Sequence, residues 1–310
     1  MNSNPAPAEL NQIGLAADAF KYSDARSWRG PCPTCGGHRR FVMFTDHEYP
    51  MWHGYCDACG HKIKAWEHVR VEADPVRRAS YEARARQMEH EEADELDRLL
   101  ARYSAEAIWA AYQRRMGEAQ RAWWRGRGIP DDWQDYLRLG YTEDRAYRAG
   151  EEFRHSPAYT IPYFGPGWKF KTMQYRLTNP ANPEDRYRFE AGLGAHYYTT
   201  APSDEKMRDT ILICEGAMKA IVSRIYAGEI TVLAVPSKST WRNTGILEAI
   251  KGAGRVYILL DPDADRQAAE MRAAIGKAAR VVNLFDKVDD CFVNYGMTAS
   301  QFAGYLRQAI

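Results

Sequence analysis

The sequence has no apolar run long enough to span a bilayer. Its first residues, MNSNPAPAELNQ, have neither the basic nor the apolar region of a secretory leader. A cytosolic location and no membrane partner are therefore expected. There is no internal repeat and no glycine-rich loop with Walker A spacing, which excludes a nucleotide-driven helicase motor in this chain. Net charge is scarce as well: at +1 over 310 residues the overall field would not attract a polyanion, so any nucleic-acid contact must use local basic patches. Only six cysteines are present, and in a cytosolic chain they point to metal binding or thiols before disulfides.

Four of those six form the strongest local motif. Cys32-Pro33-Thr34-Cys35 and Cys56-Asp57-Ala58-Cys59 follow the spacing C-x2-C-x20-C-x2-C. Each turn can bring two thiolates to one ion, and two turns complete a closed tetrahedral site. Soft thiolates favour Zn²⁺, so one structural zinc ion is expected on Cys32, Cys35, Cys56 and Cys59. Strand-like segments at 40–44 and 51–55 between the turns give the layout of a zinc ribbon. Arg39, Arg40 and Trp52 lie in it, with His53, His61, Lys62 and Lys64. Cations interleaved with aromatics suit single-stranded nucleic acid, where rings stack on bases and cations meet phosphate. Trp52 and Phe41 serve equally well as filling for a small ribbon core.

The residues from 210 to 296 alternate short apolar runs with helical segments. The runs are 211–214, 230–235, 256–260 and 281–285, and this pattern predicts a parallel sheet covered by helices on both faces. Chemistry in such sheets gathers at the carboxyl ends of the strands. Glu215 follows the first run, Asp261 and Asp263 the third, and Asp289 and Asp290 the fourth. Asp261 and Asp263 are two residues apart, so in extended chain both carboxylates point the same way. Carboxylates gathered at one edge repel unless a cation neutralises them, and hard oxygen ligands suit Mg²⁺ or Mn²⁺. Lys238 follows the second run on the same edge, placed to meet a triphosphate or simply to lie in water. Cys214 and Cys291 have no ligand spacing and read as packing residues.

Elsewhere, a weak amphipathic helix is expected around 10–20. A charged helix should start at the Asp74-Pro75 cap and run to about Tyr103. Another helix should cover 104–115. Strands are expected at 158–163, 168–177 and 186–189, and a capped helix at 298–310.

These motifs resemble a known family. An apolar strand ending in Glu215-Gly216, a strand ending in Asp261-x-Asp263 and an acidic site at 287–290 are similar to a TOPRIM domain, the catalytic module of bacterial-type primases and of topoisomerases. With the zinc motif before it, and Arg-Gly-Ile at 127–129 and Leu-Gly-Tyr at 139–141 between, the order resembles a DnaG-type primase over roughly 28–296. There are departures: Lys219 stands where the family often has an acidic residue, and Ala264-Asp265-Arg266 replaces Lys-Ala-Gly.

The resemblance implies a multi-domain α/β protein. Its parts would be an N-terminal segment (1–28), a zinc ribbon (29–72), a helical linker (73–118), a basic subdomain of the RNA polymerase core (119–205), a TOPRIM domain (206–296) and a C-terminal helix (297–310). It implies synthesis of short RNA primers from ribonucleoside triphosphates on single-stranded DNA by a two-metal mechanism. Glu215, Asp261 and Asp263 would be catalytic, with Asp289 or Asp290 assisting. Lys169, Lys171, Arg176, Arg186 and Arg188 would line the track for template and nucleotide phosphates. The compact plan looks like a phage or mobile-element primase working in the host cytosol with a separate replicative helicase. The alternatives are a TOPRIM nuclease and a non-catalytic zinc/TOPRIM recombination mediator.

Overall fold

The computed structural model describes residues 10, 15–24, 27–33, 36–46, 51–56, 62–64, 75–149, 152–203, 209–228, 230–238 and 241–309. The chain divides into two compact units, 1–98 and 99–310.

The first unit is built on an antiparallel meander of β1 (Lys21–Asp24), β2 (Ser27–Cys32), β3 (Gly36–Asp46), β4 (Met51–Cys56) and β5 (Lys62–Lys64), neighbours in space as in sequence. Leu10, Leu15, Phe20, Trp28, Phe41, Met43 and Ile63 form its core together with Cys32 and Cys56. The sheet thus starts before the ribbon boundary expected at 29. Residues 11–14 of the helix expected at 10–20 lie outside the described residues; beyond them, Ala17–Ala19 forms a 3-10 turn that leads to the buried Phe20. Helix α1 (Pro75–Glu106) is rich in Ala, Arg and Glu, all strong helix formers, and largely exposed where its side chains are described. It ends at Ala107, whose left-handed φ of 43° breaks the helix three residues later than the sequence suggests.

In the second unit, an antiparallel sheet takes the order β6 (Gly140–Ala149), β7 (Glu152–Gly165), β8 (Lys169–Leu177), β9 (Tyr187–Phe189). The last turns of α1 and α2 (Ile108–Arg114) cover one face. There Tyr103 stacks on Phe170 at 5.2 Å and Trp109 packs edge-on against Phe164 at 5.3 Å. Helices α3 (Glu118–Arg125) and α4 (Asp131–Tyr136) bury Trp124, Ile129, Leu137 and Leu139 with the other face, through Tyr159, Ile161 and Tyr163. Two features here escape sequence reading. Strand β6, with its Thr-Glu-Asp-Arg run, carries too little apolar signal. A register shift where Phe164 pairs with Phe170 spoils the alternation of β8 around Lys171.

The larger sheet has the order β10 (Tyr198–Thr199), β12 (Thr231–Val235), β11 (Thr210–Glu215), β13 (Arg255–Leu259), β14 (Ala279–Val281). All neighbours are parallel except the β10–β12 pair. Both faces are covered, which is why its strands are apolar almost throughout. Leu212, Cys214, Val232, Ala234 and Leu259 face α5 (Ala217–Ala227), α8 (Val288–Val293) and α9 (Ala299–Gln308). Ile211, Ile213, Leu233, Val235 and Ile258 face α6 (Ile246–Ala249) and α7 (Asp265–Ile275). One core runs through residues on both sides of 205/206. The fourth apolar run is only partly strand: β14 stops at Val281, and Phe285 is exposed. At the end of the chain, α9 is capped by Thr298, whose hydroxyl accepts from the Gln301 N–H.

Candidate active site at the carboxyl edge of the parallel sheet

Glu215 is the last residue of β11. Gly216 follows with φ +84°, a conformation L side chains rarely adopt, and it starts α5 at once. This is the physical reason for the Glu-Gly pair: the strand must turn into a helix within one residue, leaving the carboxylate at the edge. The turn puts Lys219 on the first turn of α5, facing the same edge. Its ammonium donates to Asp261 Oδ1. The Lys219 and Asp261 side chains are only 17% and 15% exposed, so this is an enclosed ion pair.

Asp261 and Asp263 do not point at one place. Strand β13 ends at Leu259, and the Ala264 N–H bonds back to the Asp261 carbonyl, closing a turn where extended geometry was expected. Asp261 therefore points inward and Asp263 outward. Asp263 is 74% exposed and accepts from Lys238 Nζ at 2.5 Å. Lys238 meets the site at its rim, and its backbone N–H donates to Glu215.

Asp289 and Asp290 share the first turn of α8 but meet different neighbours. Asp290 accepts from its own helix, through Asn294 Nδ2 at 2.7 Å. Asp289 interacts with Lys219 and Asp261. Among the described residues, Glu215 Oε2 and Asp289 Oδ1 are buried oxygens without a hydrogen-bond partner. Burial, and then the charge of Asp261, raise the pKa of Glu215. Burial also raises Asp289, with Asp290 and Asp261 adding to it. For Lys219, burial pulls the pKa down, but the bond to Asp261 and the surrounding carboxylates carry it up overall. The cluster thus holds one enclosed cation and two carboxylates that each have one buried oxygen without a hydrogen-bond partner. Among the described residues, no three acidic, histidine or cysteine side chains form a ready cage. A hard divalent ion does not require one, since Mg²⁺ commonly binds through one or two carboxylates and completes its shell with water and phosphate.

Nearby thiols take no part. Cys214 is buried in β11 and its pKa is pushed up to about 12 by burial; Cys291 is buried within α8.

On the smaller sheet, Lys169, Lys171 and Arg186 are exposed. Arg188 is paired with Asp185. Arg176 lies over the Trp123 ring at 4.7 Å, while Arg127 approaches the same ring at 5.2 Å and Tyr159 stacks on it at 3.8 Å. Neither Trp123 nor Lys219 was marked as functional by sequence reasoning. The signal for Lys219 was present, as a departure from an acidic position; Trp123 gave none beyond the Trp-Trp pair.

In the first unit, Cys32 and Cys56 end β2 and β4 and are both buried in one core. Cys35 and Cys59 lie outside the described residues. So do the side chains of Arg39, Arg40 and Trp52, whose backbones belong to β3 and β4.

A mixed α/β chain with a mostly parallel sheet and carboxylates at its carboxyl edge defines the class of fold. The chain shares this fold with solved structures described as primase domains. The chain superposes on a crystal structure of the Aquifex aeolicus primase described as zinc binding and RNA polymerase domains, with TM-score 0.52 and 13% identity, over 97% of this chain and 82% of that one. It is also similar to a DnaG primase catalytic domain bound to single-stranded DNA, with TM-score 0.52 and 12% identity, over 71% and 83%. A DnaG catalytic core matches with TM-score 0.53 and 14% identity, over 69% and 80%. No family model matches the sequence, and no curated protein matches it. Among the described residues no helix is long and apolar enough to cross a membrane.

Proposed function

We propose that this chain is a DNA primase of the DnaG type, joining ribonucleoside triphosphates into short RNA primers on a single-stranded DNA template. The observation that carries this reading is the pair of buried, unpartnered carboxylate oxygens, Glu215 Oε2 and Asp289 Oδ1, at the carboxyl edge of the parallel sheet. Leaving such oxygens without hydrogen bonds is costly, and a site that binds a cation offsets the cost on loading. The primase-like fold over nearly the whole chain agrees with it.

In the reaction, the primer 3′-oxygen forms a bond to the α-phosphorus of the incoming nucleotide, and pyrophosphate leaves with the electrons of the broken bond. Glu215 and Asp289 would hold Mg²⁺ or Mn²⁺, which lowers the pKa of the 3′-hydroxyl and offsets charge on the phosphates. Asp261 and Lys219 fix charge beside them. Lys238, at the rim with Asp263, is placed to exchange its carboxylate for a triphosphate. Lys169, Lys171 and Arg186 offer exposed cations to a nucleic-acid backbone, while Arg176 acts through Trp123. Zn²⁺ would be held by Cys32 and Cys56 with Cys35 and Cys59. The burial of Cys32 and Cys56 in one small core fits thiolates enclosed around an ion, and its removal should unfold the first unit.

The test is synthesis of RNA from nucleoside triphosphates on a single-stranded template. Parent protein should make primers, and folded Glu215→Gln should make fewer than about one-hundredth as many, the scale of losing a principal charge-stabilising group. Divalent-dependent template cleavage without synthesis would establish a nuclease instead. DNA binding without either would establish a recombination mediator. Unchanged synthesis by folded Glu215→Gln would overturn the site.

A further inference from the structure

Lys219 is an unusual occupant of a carboxylate site. It stands four residues after Glu215, on the first turn of α5, and its ammonium bonds to Asp261 inside the site. Glu215 and Asp289 also act on it. A lysine enclosed this far from water gives up its proton or swings out unless anions hold it. Here three carboxylates surround it, and both side chains of the Lys219–Asp261 pair remain enclosed. Glu215, Asp261 and Asp289 surround the Lys219 ammonium. A second divalent ion would have to sit beside that fixed ammonium, which repels it.

The distribution of free oxygens says the same. Asp261 Oδ1 is occupied by Lys219 and Asp263 Oδ2 by Lys238, while Glu215 Oε2 and Asp289 Oδ1 have no partner. These two buried unpaired oxygens, on two carboxylates, suffice for one Mg²⁺ with water and phosphate, while Lys219 competes for Asp261.

We propose that Lys219 takes the place of one of the two divalent cations of a two-metal centre, so that this site holds a single ion on Glu215 and Asp289. The inference rests on the phosphoryl-transfer reading of the same edge. Lys219 is then a positioning residue: it anchors Asp261 and supplies fixed positive charge without a second ion. The consequence is a dependence on divalent concentration that saturates as one binding event.

The experiment counts Mn²⁺ bound per full-length chain by electron paramagnetic resonance, with Glu215→Gln as the control that isolates this site. The parent should bind one Mn²⁺ that Glu215→Gln loses. Lys219→Arg should keep that single ion. Lys219→Met frees Asp261 as a further ligand and should bind Mn²⁺ at least ten-fold more tightly. Lys219→Asp should bind two. Thermal melts check that each variant is folded, and Lys219→Gln replaces any that is not. Two Glu215-dependent ions in the parent would overturn the role of Lys219 while leaving the site in place. So would identical number and affinity in parent, Lys219→Met and Lys219→Gln. Absence of any Glu215-dependent Mn²⁺ in all proteins would overturn the site itself, and the inference with it.

Discussion

Two enclosed glutamates in the second unit make a direct comparison. Glu190 follows the smaller sheet, and both its oxygens are bonded: Oε1 accepts from Arg145 at 3.1 Å, and Oε2 accepts from the Tyr175 hydroxyl at 2.5 Å and lies 3.1 Å from Arg145 Nη1 in an ion pair. Arg145 also lies over the Tyr175 ring at 3.9 Å. Glu215 is enclosed at the edge of the larger sheet, and its Oε2 has nothing among the described residues. The first carboxylate is complete within the protein and fastens β6 to β8. On the proposed reading, a bound cation would complete the second. Burial alone does not distinguish a structural acid from a functional one; hydrogen-bond satisfaction is a second criterion, on which these two glutamates differ.

Substitution should separate the two most sharply. Glu215→Gln or Asp289→Asn should abolish primer synthesis while leaving the metal-free melting temperature equal or higher, because each removes a charge that burial disfavours and that has one oxygen without a hydrogen bond. Glu190→Gln should do the reverse. Breaking a buried, hydrogen-bonded pair costs about 3 to 5 kcal/mol, so the melting temperature should fall by many degrees, and activity should follow the folded fraction. Thermal melts beside a primer-synthesis assay check both. A lower melting temperature for Glu215→Gln with proportionate activity would erase the distinction.

The next effect tests two aspartates of one turn. Asp261 is paired inside with Lys219, whereas Asp263 is 74% exposed and paired at the rim. Asp261→Asn should therefore lower both activity and stability, by about 2 kcal/mol or more, since it strips an enclosed ammonium of its hydrogen-bonded partner. Asp263→Asn should leave stability within about 0.5 kcal/mol, as exposed ion pairs do. Equal destabilisation by the two in urea titrations would mean that Asp263 is as enclosed as Asp261.

The pH response has a definite sign. Glu215 and Asp289 have ordinary values of 4.5 and 3.8, and burial raises both in the fold. The folded chain then holds these protons more tightly than the unfolded one. Their contribution to stability is complete below the ordinary values and is lost as pH rises through the raised ones. In EDTA, the melting temperature of Glu215→Gln minus that of the parent should grow with pH from about 4.5 upward. Excess Mg²⁺ binds the ionised form and should shrink that difference. A difference that is flat with pH would show that Glu215 titrates as it does in water.

Much of this edge was legible in the sequence because parallel strands buried on both faces write themselves as apolar runs. The placement of Glu215, Asp261 and Asp289 after such runs follows from that. What was not legible depends on single residues. The i, i+2 rule for Asp261 and Asp263 holds only in extended chain, and β13 ends two residues too early for it. Asp289 and Asp290 differ in direction by one helical step, which spacing along the chain cannot express. Strand β6 is half exposed and polar, so it lacks periodicity. Trp123 and Tyr159 are 36 positions apart in sequence, and only the folding of α3 onto β7 stacks them.

The smallest expected effect concerns the basic residues of the smaller sheet. Lys169 and Lys171 are both exposed, on a strand whose other face is packed against α1 and α2. Neither has an ion pair among the described residues, so replacing either with alanine should leave stability within about 0.5 kcal/mol, as for other surface positions. If they meet a DNA backbone, removing one lysine–phosphate pair lowers affinity uniformly across sequences and reduces the slope of log K against log salt by about 0.7 for a single strand. Arg176 should behave differently, because its guanidinium lies against Trp123. Arg176→Ala removes packing as well as charge, so affinity and melting temperature should fall together. Fluorescence anisotropy with single-stranded DNA at several salt concentrations reads the slopes. An unchanged slope for Lys169→Ala and Lys171→Ala would remove these lysines from the nucleic-acid track and leave Arg176 with Trp123 as its part of the sheet to test.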